Sequence, residues 1–139
     1  MTKLMLALLG CICAIAQTAE PPNRPAPKAF TGTWKGTCAD GKDFVIVTLA
    51  HTEAGNWEGS VQLANMRGGE DGQCQTVVDP PSERHALKIS DGRLQGAVLS
   101  FRGSSRAEFE MTLPAPAKAR LRFLGTASED SPWELQRTR

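Results

Sequence analysis

Neither sign of charge predominates in this chain of 139 residues, where 16 Lys and Arg stand against 15 Asp and Glu. The basic residues form no cluster, which excludes a nucleic-acid footprint. No apolar run is long enough to cross a membrane; the longest covers residues 4–16. No window carries a helical stripe, because glycine, proline and β-branched residues interrupt every candidate. No Gly-x-Ser-x-Gly occurs, no Ser-His-Asp spacing is visible, and the carboxylates are scattered. No catalytic constellation is therefore legible, and the reading calls for no cofactor and no metal.

The first apolar run has the layout of a secretory signal. Lys3 precedes an uncharged stretch from Leu4 to Ala16, and Ala14-Ile15-Ala16 supplies a small-x-small cleavage site. Residues 1–16 are expected to be removed, so that the mature chain starts at Gln17 in a secreted or periplasmic setting. "LLGC" also resembles a lipoprotein box ending at Cys11, but its apolar core would be only Leu4 to Leu9. That core is too short for such a signal, and a lipid anchor at Cys11 is not the expectation.

Residues 17–29 carry Pro21, Pro22, Pro25 and Pro27, which predicts an extended, solvated leader. The remaining residues, 30–139, are enough for one domain with a modest core. Loss of the signal leaves two of the four cysteines, Cys38 and Cys74. In an oxidising compartment a lone pair of this kind predicts a structural disulfide. Its closed loop of about 36 residues would contribute about 3–4 kcal/mol in the chain-entropy model.

The dominant period is two. "WEGSVQLA" sets Trp57, Gly59, Val61 and Leu63 on one face. "RAEFEMTL" does the same for Ala107, Phe109, Met111 and Leu113, "KARLRFLG" for Ala119, Leu121 and Phe123, and "PWELQR" for Trp133 and Leu135. "RHALKIS" places His85, Leu87 and Ile89 together, and "GAVLSFR" places Ala97, Leu99 and Phe101 together. "DFVIVTLAH" is apolar on both faces from Phe44 to Val47, so its inner face is left open. Alternation of this kind marks antiparallel strands with one buried and one wet face.

Turn signals separate these runs at Asp40-Gly41, Ala54-Gly55-Asn56, Asp91-Gly92, Gly103-Ser104-Ser105, Pro114-Ala115-Pro116 and 128–132. The fold class expected is all-β, a small antiparallel up-and-down barrel of about eight strands in a single domain. In the hairpin of residues 106–113 and 117–124, charge pairing predicts Glu108 opposite Arg122 and Glu110 opposite Arg120, with Phe109 opposite Leu121. Residues 64–83 break the pattern with Gly68-Gly69, Asp71-Gly72 and Pro80-Pro81, although "QTVVD" could add a short strand. A long loop in a compact domain is functional or needs tying down, and Cys74 would pin this one beside the turn after the first strand.

"FTGTWKGT" opens the domain. Its Gly32-Thr33-Trp34 resembles the start of the first strand in calycin barrels, the lipocalins and avidins, and "DFVIV" and "GNWEGSV" follow much as second and third strands do in the avidin group. The chain also resembles small secreted bacterial domains, of no assigned activity, that begin with G-x-W-x-G and end in a tryptophan-bearing strand. The sequence has no tyrosine, so the Thr-Asp-Tyr signature of many lipocalins is absent. No polar set aligns with the biotin contacts of avidins. The resemblance implies a barrel and a habit of holding an apolar small molecule.

Trp34, Trp57 and Trp133 fall on inferred inner faces, and with His85 they are the candidate ligand-binding residues. Three large side chains also suit the core of a small domain. His51 and His85 sit near strand ends, where polar residues belong in any case. Two functions are expected: a carrier of a small apolar ligand, or a protein-interaction or inhibitor module of the cell envelope acting through residues 64–83. An open interior would favour the first, and a packed interior the second.

Overall fold

A computed structural model describes residues 25–67 and 74–138. The expected signal, leader residues 17–24 and residues 68–73 of the long loop lie outside the described residues.

The strands are β1 (Gly32–Thr37), β2 (Asp43–His51), β3 (Trp57–Leu63), β4 (Asn65–Arg67), β5 (Thr76–Asp79), β6 (Leu87–Gln95), β7 (Val98–Gly103), β8 (Glu108–Ala115), β9 (Lys118–Phe123) and β10 (Trp133–Arg137). Eight of them close into an antiparallel barrel in the order β1-β2-β3-β6-β7-β8-β9-β10. This is the up-and-down barrel that the alternation predicts. β1 completes it through Trp34 opposite Arg137 and Lys35 opposite Gln136, and the amide of Thr138 adds a 2.9 Å bond to the carbonyl of Thr33. β4 and β5 form a separate two-stranded sheet, an excursion between β3 and β6. "QTVVD" thus does yield a strand.

Each barrel strand turns side chains inward: Trp34, Val45 and Val47, Val61, Ile89, Leu99 and Phe101, Phe109 and Met111, Ala119 and Leu121, and Leu135. Period-two alternation needs only these inner faces to be apolar, and an eight-stranded interior is just wide enough for them to fill. The open question over "DFVIVTLAH" is settled by a β-bulge. The register of β1 against β2 shifts between Gly36 and Thr37, so Phe44 is an extra residue on β2, and both Phe44 and Val45 are buried.

Asp91-Gly92 is not a turn. The strand runs through it to Gln95, and the register against β7 shifts between Ser90 and Arg93. Asp91 adopts φ 52°, a left-handed conformation that Asp tolerates better than most residues, and the pair is absorbed as a second bulge. Two short helical turns replace expected extended chain. Pro27–Phe30 forms one helical turn where an extended leader is expected, with Pro27 in its first turn, where a missing amide costs nothing. Glu83–His85 forms a 3₁₀ turn in place of the start of a strand, because the Ser82 hydroxyl accepts the amide of Arg84.

The β8–β9 register differs from the one that charge pairing predicts. Phe109 stands opposite Phe123, Met111 opposite Leu121 and Glu110 opposite Arg122, a shift of two residues. The cause is the reversal itself. β8 continues through Pro114, where no amide is available for the ladder, and a bulge between Thr112 and Ala115 accommodates it. The chain then turns at Pro116-Ala117. No charge pair is lost: Glu110 lies 3.4 Å from Arg122, and Glu108 pairs instead with Arg102 of β7 at 3.3 Å. The shift also brings Phe109 against Phe123, with centroids 4.6 Å apart and the rings tilted by 46°.

Candidate functional site

The antiparallel order gives the barrel two unlike ends. One, the base, holds the start of β1 and the end of β2; the other, the mouth, holds the end of β1 and the start of β2.

The base is plugged. Phe30, on the helical turn, is fully buried and meets Trp57 edge to face at 6.3 Å. The indole Nε1 of Trp34 donates to the carbonyl of Phe30. The Arg137 guanidinium lies 4.3 Å over the Trp34 ring and donates to the carbonyls of Ala29 and Thr31. The flanking glycines make room for these neighbours. A Cβ on Gly32 would sit 3.0 Å from the Arg137 guanidinium, and one on Gly36 would lie under 3 Å from Leu135, Val45 and Phe44.

The mouth is only half closed. Leu63, Leu87, Ala107, Phe123 and Trp133 pack against the core but keep part of their surface in solvent. Each lies at or beside the mouth end of its own strand or, for Ala107, just before β8. Phe44 and Phe123 both meet Trp133 edge to face, at 5.3 and 6.3 Å. Beside this rim stands the β4–β5 hairpin. Val77 is 5 % exposed and belongs to the core cluster, and Met66 packs against it.

The hairpin is tied to the β1–β2 turn. Cys38 and Cys74 form the expected disulfide. The amides of Ala39 and Asp40 donate to the carbonyls of Cys74 and Gln75 at 3.0 and 3.2 Å. The Asp40 carboxylate accepts the amides of Val77 and Lys42, both at 3.0 Å. These bonds, that from Val77 first, hold its carboxyl below the ordinary aspartate value, since they favour the charged form.

The four candidate residues do not converge. Trp34 and Trp57 belong to the base. Trp133 belongs to the mouth, four residues along β10 from the partner of Trp34, about 13 Å at an antiparallel rise. His85 is exposed on its 3₁₀ turn. Leu63, Leu87, Ala107 and Phe123, which complete the rim, carry only the period-two signal of core residues, and strand direction alone brings them to one end.

Two grooves lie on the outer wall. One of about 920 Å³ crosses β6, β7 and β8, where Ser90, Arg93, Arg102 and Glu108 line it, and reaches Trp57 at the start of β3; the other, of about 640 Å³, runs over β8, β9, β10 and β1. Among the described residues, no three His, Cys, Asp or Glu side chains are grouped so as to hold a metal ion. No helix of the described residues is long and apolar enough to cross a membrane. Comparisons with protein-family models, with curated proteins and with solved structures return no match.

Proposed function

We propose that this chain is a non-catalytic protein-interaction module of the secreted or periplasmic compartment, which holds a partner at the mouth of the barrel. The observation that carries this reading is the filled interior. Trp34, Val45, Val47, Val61, Leu99, Met111, Leu121 and Leu135 present no surface to a water-sized probe. A side chain without such surface borders no void that a ligand could enter. The mouth offers an apolar surface for binding, the half-buried rim of Leu63, Leu87, Phe123 and Trp133 beside the hairpin. Apolar residues ringed by polar ones are the usual core of a protein interface. The disulfide fits the oxidising compartment of such a module.

A second reading keeps the carrier: a small apolar ligand lying on Trp133 itself, which is half-buried between Phe44 and Phe123. Native mass spectrometry of protein purified from its own host separates the two. A protein partner that is retained by the native chain, lost in Leu87→Glu and Trp133→Ser, and kept in Arg102→Ala supports the interaction module. A stoichiometric small molecule without a protein partner would sink it in favour of the carrier.

A further inference from the structure

β3 pairs directly with β6, through Ser60 opposite Lys88 and Val61 opposite Leu87. The barrel ladder is therefore complete without β4 and β5, which pair only with each other. Three kinds of attachment hold their described residues to the rest of the chain beyond its covalent continuity. One is burial of Val77 and Met66 against the core. The second is the set of amide bonds that join Ala39, Asp40 and Val77 across the β1–β2 turn. The third is the Cys38–Cys74 disulfide.

Among the described residues, the hydrogen-bonded and covalent tethers run through one short turn, Cys38 to Gly41; the covalent one is reducible, and its two cysteines are themselves buried at the edge of the core. A disulfide that spans two barrel strands would staple the core. This one joins the barrel to an appendage that the ladder does not need. Cross-links of that kind hold a segment of low intrinsic stability in place, and such segments open without global unfolding.

We propose that Cys38–Cys74 is a latch, and that its reduction by a dithiol frees the β4–β5 hairpin from the mouth while the barrel stays closed. This rests on the mouth being the partner site, and gives that site a redox control. A thiolate of the dithiol attacks one sulfur of the disulfide, and its second thiol displaces the resulting mixed disulfide. Two electrons and two protons pass to Cys38 and Cys74, which become thiols, and the dithiol becomes a disulfide. Val77 and Met66 then leave the core, and the apolar rim gains surface.

The test is residue-resolved amide hydrogen exchange by NMR on the mature full chain, in three forms: oxidised, reduced with dithiothreitol after folding, and Cys38→Ser/Cys74→Ser. The amides of Ala39, Asp40 and Val77 report on the hairpin, and those of Val47, Met111 and Leu121 on the barrel. The expected result is exchange at least tenfold faster in the first set and within twofold in the second, in both the reduced and the variant protein. Should the double variant fail to fold, the chemically reduced protein decides alone. Three results would overturn the proposal. Hairpin amides could stay within twofold, barrel amides could accelerate as much as hairpin amides, or oxidised and double-variant protein could retain the host partner equally. The exchange needs no partner, so a failed latch and a failed partner site are told apart.

Discussion

The indole Nε1 of Trp34 donates a 2.9 Å hydrogen bond to the carbonyl oxygen of Phe30, four residues back and across the base of the barrel. One side chain thus fills the interior and fastens the plug that closes it. Trp34→Ala should cost about 3–5 kcal/mol, the usual range for truncating a buried aromatic. Denaturant midpoints measure it. A loss under about 1 kcal/mol would mean that the plug closes the base without the indole.

Arg137 should matter more than its place at the chain end implies. Its guanidinium stacks on Trp34 and donates to two carbonyls of the plug, those of Ala29 and Thr31. Arg137→Ala is expected to cost roughly 1–3 kcal/mol, from cation–π and charge-assisted bonds together. Arg137→Lys should recover less than half, because an ammonium cannot stack and fork at once. Full recovery in the lysine variant would show that charge alone suffices.

Gly59 is the least replaceable glycine described. Its φ is 141°, and a Cβ there would lie 1.8 Å from the carbonyl oxygen of Thr48, a backbone atom with no room to yield. Gly59→Ala should therefore cost more than about 3 kcal/mol or prevent folding, through backbone strain and displacement of the β2–β3 ladder. Near-native thermal stability in this variant would contradict the strand geometry.

Asp40 links the hairpin to pH. Its carboxyl lies below the ordinary aspartate value of about 3.9, chiefly because the Val77 amide bonds to the charged form. A depressed folded value contributes stability that is present above the unfolded value and is lost as pH falls through the folded one. The hairpin attachment should hold at neutral pH and weaken only in strong acid. Titration of the Asp40 side-chain carbon by NMR should give a midpoint below about 3.9, and Asp40→Asn should remove the acid dependence of the Val77 amide shift. A midpoint at or above the ordinary value would show that the Val77 bond is not kept in solution.

The alternation of apolar and polar residues determines most of the barrel. Phe109 and Met111, Ala119 and Leu121, and Leu135 are assigned to the interior by period two alone, and each is buried. This works because a strand has only two faces and one of them must be dry. The disulfide is equally legible, since the expected loss of residues 1–16 would leave Cys38 and Cys74 as a single pair, and these two are bonded.

Only the tertiary structure decides what alternation leaves unchanged. A shift of two residues in the β8–β9 hairpin keeps every apolar side chain inside, so the register falls to the turn at Pro116-Ala117 and to the meeting of Phe109 with Phe123. Bulges at Phe44 and at Asp91-Gly92 add a residue to one strand without altering its composition. The separation of Trp34 from Trp133 has the same origin. Period two places both indoles on the inner wall, but their height along the axis depends on strand direction and register, which arise from hydrogen bonds between segments remote in sequence. The plugged base and the half-open mouth are consequences of that pairing.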